Sequence, residues 1–102
     1  MKTMVSLSYD DVLLVPQYSD IRSRKEIDIG TMLGSFRLDL PVISSPMDTV
    51  TEALMASHMG LAGGLGVIHR YCSIDRQAKL IRQQKHGTKA AAIGVTGDFH
   101  DR

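Results

Sequence analysis

The rhythm of apolar and polar positions changes near Pro41. Before it, short alternating stretches stand among turn residues. Val12-Leu13-Leu14-Val15 is an apolar run stopped by Pro16. Glu26-Ile27-Asp28-Ile29 alternates ahead of Gly30, and Phe36-Arg37-Leu38-Asp39-Leu40 alternates again, both with the period of a half-exposed strand. The two are expected to pair across the loop around Gly34 as an antiparallel β-ribbon. Residues 1–40 therefore read as an irregular N-terminal arm with a β-ribbon.

From Pro41 a strand-helix unit appears and then repeats. Val42-Ile43-Ser44-Ser45 is a short strand, apolar at its start and small-polar at its end. Thr49-Val50-Thr51-Glu52 has the spacing of a capping box, which predicts a helix with Val50, Ala53, Leu54 and Met59 near one face. Gly60, Gly63 and Gly64 end it, and Leu65-Gly66-Val67-Ile68 is a second buried strand closed by His69-Arg70. Ser73 is the expected N-cap of a second helix, with Asp75 in the first turn where the dipole favours an anion. Ile74, Ala78 and Ile81 recur at helical spacing, while Lys79, Arg82, Gln83 and Lys85 take the wet side. Gly87 stands where a left-handed residue is expected past the helix. Ala90 to Val95 is the third strand.

Strand, helix, strand, helix, strand with short links implies a parallel sheet with right-handed crossovers. The fold class is α/β. A doubly wound sheet and a (β/α)8 barrel both begin this way, and a full barrel needs about 250 residues. Residues 41–102 would be the first β/α units of such a barrel, incomplete as they stand, or part of a doubly wound sheet. The chain then reads as a fragment, or as a part completed by another polypeptide.

Composition narrows the partners. Apolar residues make up 43% and charged residues 23%, as in an ordinary globular protein. Twelve basic against eleven acidic residues, with no basic block, propose no nucleic acid. Met1 to Leu7 lacks the apolar core of a signal peptide, and no stretch reaches the roughly 18 apolar residues of a membrane span. One cysteine fits a reducing compartment, so a cytoplasmic location is expected.

Ligands of such folds bind at the carboxyl ends of the strands. That rule selects Ser44 to Asp48, His69 to Tyr71 and Thr96 to Asp98. Ser44 and Ser45 would let a ligand approach the backbone; they equally suit a plain turn. Asp48 reads first as a helix cap. Met47 reads first as packing, although a thioether can press against a purine. The histidines lack metal-ligand spacing, and His69 reads as hydrogen-bonded structure. Cys72 has no general base in view and reads as a bystander. Ser23-Arg24-Lys25, flanked by Arg22, sets a guanidinium beside a hydroxyl, which suits a phosphate. Composition alone favours a solvated cluster.

Three blocks, in order, resemble a known family. Tyr9 to Pro16 looks like the opening signature of the IMP dehydrogenase/GMP reductase family, Val42 to Glu52 like its first barrel strand and turn, and Gly63 to His69 like its second strand. The resemblance runs from about Leu7 to the end. It implies a (β/α)8 barrel, usually tetrameric, and nicotinamide-dependent chemistry at carbon 2 of a purine nucleotide. The dehydrogenase oxidises IMP to XMP with NAD; the reductase converts GMP to IMP with NADPH. Both use a nucleophilic cysteine, which splits one hard step into two. That cysteine belongs to a motif absent from these residues, and Cys72 is not its counterpart. No catalytic residue is therefore expected in this segment, which alone should be inactive. The phosphate loops, the monovalent-cation site and the flap are likewise expected downstream.

By the same resemblance, Ser45 and Met47 match positions that touch the nucleotide. Only His86-Gly87-Thr88-Lys89 separates Lys85 from Ala90, so the paired regulatory module of most dehydrogenases is missing. Ser44-Ser45-Pro46-Met47, Val50-Thr51-Glu52 and Gly63 to Gly66 look like a dehydrogenase. Ser23-Arg24, His69-Arg70 and the missing module look like a reductase, whose matching Ser-Arg pair and basic residue bind NADPH. The longer barrel motifs weigh more. The leading expectation is an IMP dehydrogenase using NAD, with a GMP reductase using NADP or a non-catalytic barrel part as alternatives. Ser23, Arg24 and Arg70 are the candidate cofactor residues, and a homotetramer is the expected assembly.

Overall fold

A computed structural model describes residues 4–102. The reading of Met1 to Leu7 falls partly on residues 1–3, which lie outside the described residues. Residues 4–29 are exposed throughout and carry only single 3-10 turns at Tyr9–Asp11 and Arg24–Glu26. Val12 to Val15 forms no regular element. A hairpin follows, β1 Thr31–Leu33 against antiparallel β2 Phe36–Leu38. Gly34 supplies its turn with a φ of 59°, a conformation that costs glycine little.

The expected first ribbon strand, Glu26 to Ile29, is displaced C-terminally in the structure. Asp28 explains the shift. Its carboxylate accepts the Gly30 N–H at 2.8 Å and the Arg37 guanidinium at 2.9 Å. That side chain is spent on holding a turn, and pairing starts only at Thr31.

The second sheet is parallel and ordered β3-β4-β5, from Ile43–Ser44, Leu65–Ile68 and Ala90–Ala91. Helix α1, Ala53–Leu61, lies between β3 and β4, and α2, Ile74–Gln83, between β4 and β5. The core is Ala56, Ile68 and Leu80, with Ala53, Ile81 and Ala91 packed around it. Gly66 lets α1 sit close on the sheet: a Cβ there would lie 2.5 Å from the Ala56 Cα.

Helix α1 departs from its expected face, whereas Lys79, Arg82, Gln83 and Lys85 are exposed, as expected for the wet side of α2. Leu54 is 74% exposed, and α1 buries Ala56 and Ser57 instead. On α2 the deepest positions are Gln77 and Leu80, with Ile74, Ala78 and Ile81 only half-buried. Ser73 caps α2 as expected, accepting the Arg76 N–H at 3.2 Å. Gly87 is left-handed, with a φ of 77°. The third strand is shorter than its six-residue apolar run, because the ladder with β4 stops at Ala91. No helix among the described residues is long and apolar enough to cross a membrane.

Candidate functional site

The parallel order sets the C-terminal ends of β3, β4 and β5 side by side. Each end is tied by a polar side chain from the helix layer. After β3, the Thr51 hydroxyl donates to the Ser45 carbonyl at 2.6 Å and lies 2.8 Å from the Ser44 hydroxyl. Thr51 is completely buried. The Met47 carbonyl accepts the Val50 and Thr51 N–H groups at 3.0 and 2.9 Å. Ser45 and Met47 thus occupy a hydrogen-bonded turn, with the Met47 side chain half-exposed.

This turn corrects the expected capping box. The helix starts at Ala53, so Thr49 and Asp48 stand outside it and cap nothing. Glu52 is the N-cap by position, yet its side chain makes no cap bond. It turns instead to the neighbouring strand end. Its carboxylate meets His69 Nε2 at 3.2 Å and the Arg76 guanidinium at 3.3 Å. The His69 bond holds the Glu52 carboxyl below the usual carboxylate range, against a partial desolvation, and the Arg76 charge adds to it.

His69 is 3% exposed at the end of β4. Its Nδ1 accepts the Tyr71 N–H at 3.1 Å. With Nδ1 as acceptor, the Nε2–H tautomer is the one that can donate to Glu52, 3.2 Å away. His69 is hydrogen-bonded through both ring nitrogens. Arg70 next to it is exposed, with its guanidinium 5.8 Å from the Tyr71 ring centroid.

Gln77 ties the ends of β4 and β5. Its amide donates to the His69 carbonyl at 3.1 Å and to the Ala92 carbonyl at 2.8 Å. Its oxygen accepts from Arg102 at 3.0 Å, and Arg102 also reaches Asp98 and the Cys72 carbonyl. Cys72 is half-buried just before the α2 cap.

The structure therefore places Ser45 and Met47 at one strand end and Arg70 at the adjacent one. Ser23 and Arg24 lie in the exposed arm, where the Ser23 hydroxyl accepts the Lys25 N–H at 3.3 Å as a local cap. Among the described residues no hydrogen bond or ion pair joins them to Arg70, Ser45 or Met47. A groove of about 380 Å³ lies elsewhere, on the helix layer between Leu54, His58, Leu61, Lys85 and His86. Thr51 and Glu52 enter the sequence pattern only as parts of a capping box and a family-like block, and Gln77 was not singled out. A signal for Gln77 exists: Ile74, Gln77, Ile81 and Gln84 recur at spacings of 3, 4 and 3, placing two glutamines on the inner stripe.

Residues 6–101 match the IMP dehydrogenase / GMP reductase domain. The chain belongs to the IMP dehydrogenase/GMP reductase family. The inosine-5'-monophosphate dehydrogenase of Nitrosopumilus maritimus is 46% identical over 86 residues, which is 83% of this chain and 18% of that protein. The GMP reductase of Leishmania donovani is also 46% identical, over 80 residues, 78% of this chain and 16% of its own length. The solved GMP reductase of Trypanosoma brucei, in complex with guanosine 5'-triphosphate, superposes with a TM-score of 0.76 at 44% identity, over 78% of this chain and 19% of that one. The inosine 5'-monophosphate dehydrogenase of Legionella pneumophila gives 0.81 at 37% identity, over 90% of this chain and 29% of that one. The chain thus spans under a fifth of the curated relatives it matches. Family members of both names match at equal identity, so the family is shown and the subfamily is left to its chemistry.

Proposed function

We propose that these residues are the arm and first β/α units of a (β/α)8 barrel that oxidises IMP to XMP with NAD. The observation that carries this reading is the turn after β3. Small side chains at Ser44 and Ser45 leave the backbone open, Thr51 holds the turn from below, and Met47 presents a half-exposed thioether. A purine nucleotide fits there: the base against Met47, and a polar edge or hydroxyl on Ser45. The adjacent Arg70 guanidinium offers an anionic group of the dinucleotide a charge-assisted partner. A bound nicotinamide would supply the hydride acceptor for carbon 2. In this account the residues described bind and orient, and the nucleophilic cysteine and monovalent-cation site belong to the rest of the barrel. A homotetramer in the cytoplasm is the assembly and location that go with this reading.

The second reading is a GMP reductase with NADPH. It is favoured by Ser23-Arg24 and by Arg70, three groups suited to the extra 2′-phosphate of NADP. A non-catalytic barrel part is the third.

Ser45→Ala in the full-length protein is expected to weaken nucleotide binding by about one hydrogen bond, roughly 0.5–1.5 kcal/mol. Titration of IMP and GMP against wild type, Ser45→Ala and Met47→Ala checks this. Unchanged affinity in both variants would mean that the two side chains only pack.

A further inference from the structure

The exposed Arg70 stands at the end of a contiguous chain of contacts that begins in the helix layer. Glu52 fixes His69 through Nε2 at 3.2 Å. His69 fixes Tyr71 twice, by accepting its N–H at 3.1 Å and by stacking on its ring, with centroids 6.3 Å apart and planes within 18°. Tyr71 in turn carries the Arg70 guanidinium, 5.8 Å from its ring centroid, within cation–π range. Tyr71 is 67% exposed among the described residues, so its ring is open to the Arg70 side chain.

We propose that Glu52, His69 and Tyr71 form a positioning relay that holds the Arg70 guanidinium at the end of β4 for a phosphate group of the dinucleotide. The single-proton arithmetic of an imidazole makes the relay directional. Only the Nε2–H tautomer both donates to Glu52 and accepts from the Tyr71 amide. The other tautomer would set an N–H against the Tyr71 N–H and push the segment outward. Glu52 therefore selects the tautomer, the tautomer sets the Tyr71 backbone, and the ring confines a long side chain that would otherwise sample many rotamers. Holding Arg70 in advance removes part of the ordering cost of binding an anion. Arg76 on α2 faces Glu52 as well, and keeps that carboxylate from swinging away from His69.

The proposal rests on the cofactor reading of Arg70, and the test separates the two. Cofactor dissociation constants are measured for the full-length protein carrying Arg70→Ala, Tyr71→Leu, His69→Phe, and each of the last two combined with Arg70→Ala. The expected result is a weakening of about tenfold or more for Arg70→Ala, the scale of one charge-assisted bond. Tyr71→Leu and His69→Phe should each weaken cofactor several-fold, leave nucleotide affinity unchanged, and add nothing once Arg70 is gone. Glu52→Gln keeps an acceptor oxygen and should bind close to wild type. Tyr71→Leu changes an exposed ring, so it remains informative if His69→Phe does not fold. Additive losses in the double variants would overturn the relay while leaving Arg70 as a cofactor contact. No loss in Arg70→Ala would overturn the cofactor reading, and the relay's function with it. Nitrogen-15 NMR of His69 in the full-length protein supplies the second readout: the Nε2–H tautomer supports the relay, and the Nδ1–H tautomer sinks it whatever the binding data say.

Discussion

Gly66→Ala is expected to lower the unfolding midpoint of the full-length protein at a cost of about 1–3 kcal/mol, the usual scale of overpacking. A Cβ at this position meets the Ala56 Cα at 2.5 Å and its Cβ at 2.8 Å. Neither contact is the tip of a flexible side chain, so α1 must lift from β4. Ala56 is completely buried in the core, and lifting it loosens Ile68 as well. The substitution also gains something, because alanine restricts the unfolded chain, but only by about 0.4–1 kcal/mol. The clash wins. Gly94→Ala makes the contrast: its tightest contacts are the Arg70 guanidinium at 3.2 Å and the Thr96 carbonyl oxygen at 3.3 Å, which need to give far less than the Ala56 Cα at 2.5 Å. Denaturant midpoints of the two variants should differ in that order, and equal midpoints would show that the close approach of α1 is not needed.

Thr51→Val is expected to be nearly isosteric in shape and yet costly. The hydroxyl is buried and donates to the Ser45 carbonyl at 2.6 Å, and it also faces the Ser44 hydroxyl. A methyl in its place leaves those groups short of a partner, which costs about 1–3 kcal/mol. The turn that carries Ser45 and Met47 then loses its support from below, so nucleotide affinity should fall together with stability. Thr51→Ser keeps the hydroxyl and should recover most of both. Equilibrium unfolding and nucleotide titration on the three proteins decide the matter; a valine variant equal to wild type in both would remove Thr51 from the site.

Much of the fold was readable where one physical demand dominates. Leu65 to Ile68 is a short apolar run entered through Gly63-Gly64 and closed by His69-Arg70, and β4 occupies those residues. Ser73 is followed by an acidic first turn, and it caps α2. The parallel order followed from alternation of strand and helix patterns. The sequence pattern misleads where two demands compete for the same residue. Thr49 and Glu52 have capping-box spacing, yet tertiary partners claim Glu52 for His69 and Arg76, and the helix begins later. Leu54 looks like core but is exposed, because Gly66 admits only a small residue and so selects the face with Ala56. Asp28 has strand alternation around it, but its bonds to Gly30 and Arg37 hold a turn.

At the site, the strand ends were found by the rule for parallel sheets, and Ser45, Met47 and Arg70 lie on two adjacent ones. The polar ties beneath them were hidden. Gln77 bonds carbonyls 8 and 15 residues away, and His69 meets a carboxylate 17 residues back. Such pairings depend on how helix and strand stack, which no local window contains. The arm residues Ser23 and Arg24 are joined to the strand ends by resemblance rather than by any contact within the described chain.

The central claim, a purine-nucleotide oxidoreductase of the dehydrogenase kind, is tested most directly by initial rates of the full-length protein with two substrate pairs. IMP with NAD and GMP with NADPH are supplied separately at fixed ionic strength, and reduced or oxidised nicotinamide is followed by absorbance. The account predicts reduction of NAD with IMP as XMP forms, and little oxidation of NADPH with GMP. Turnover confined to GMP and NADPH, or no turnover with either pair, would contradict it.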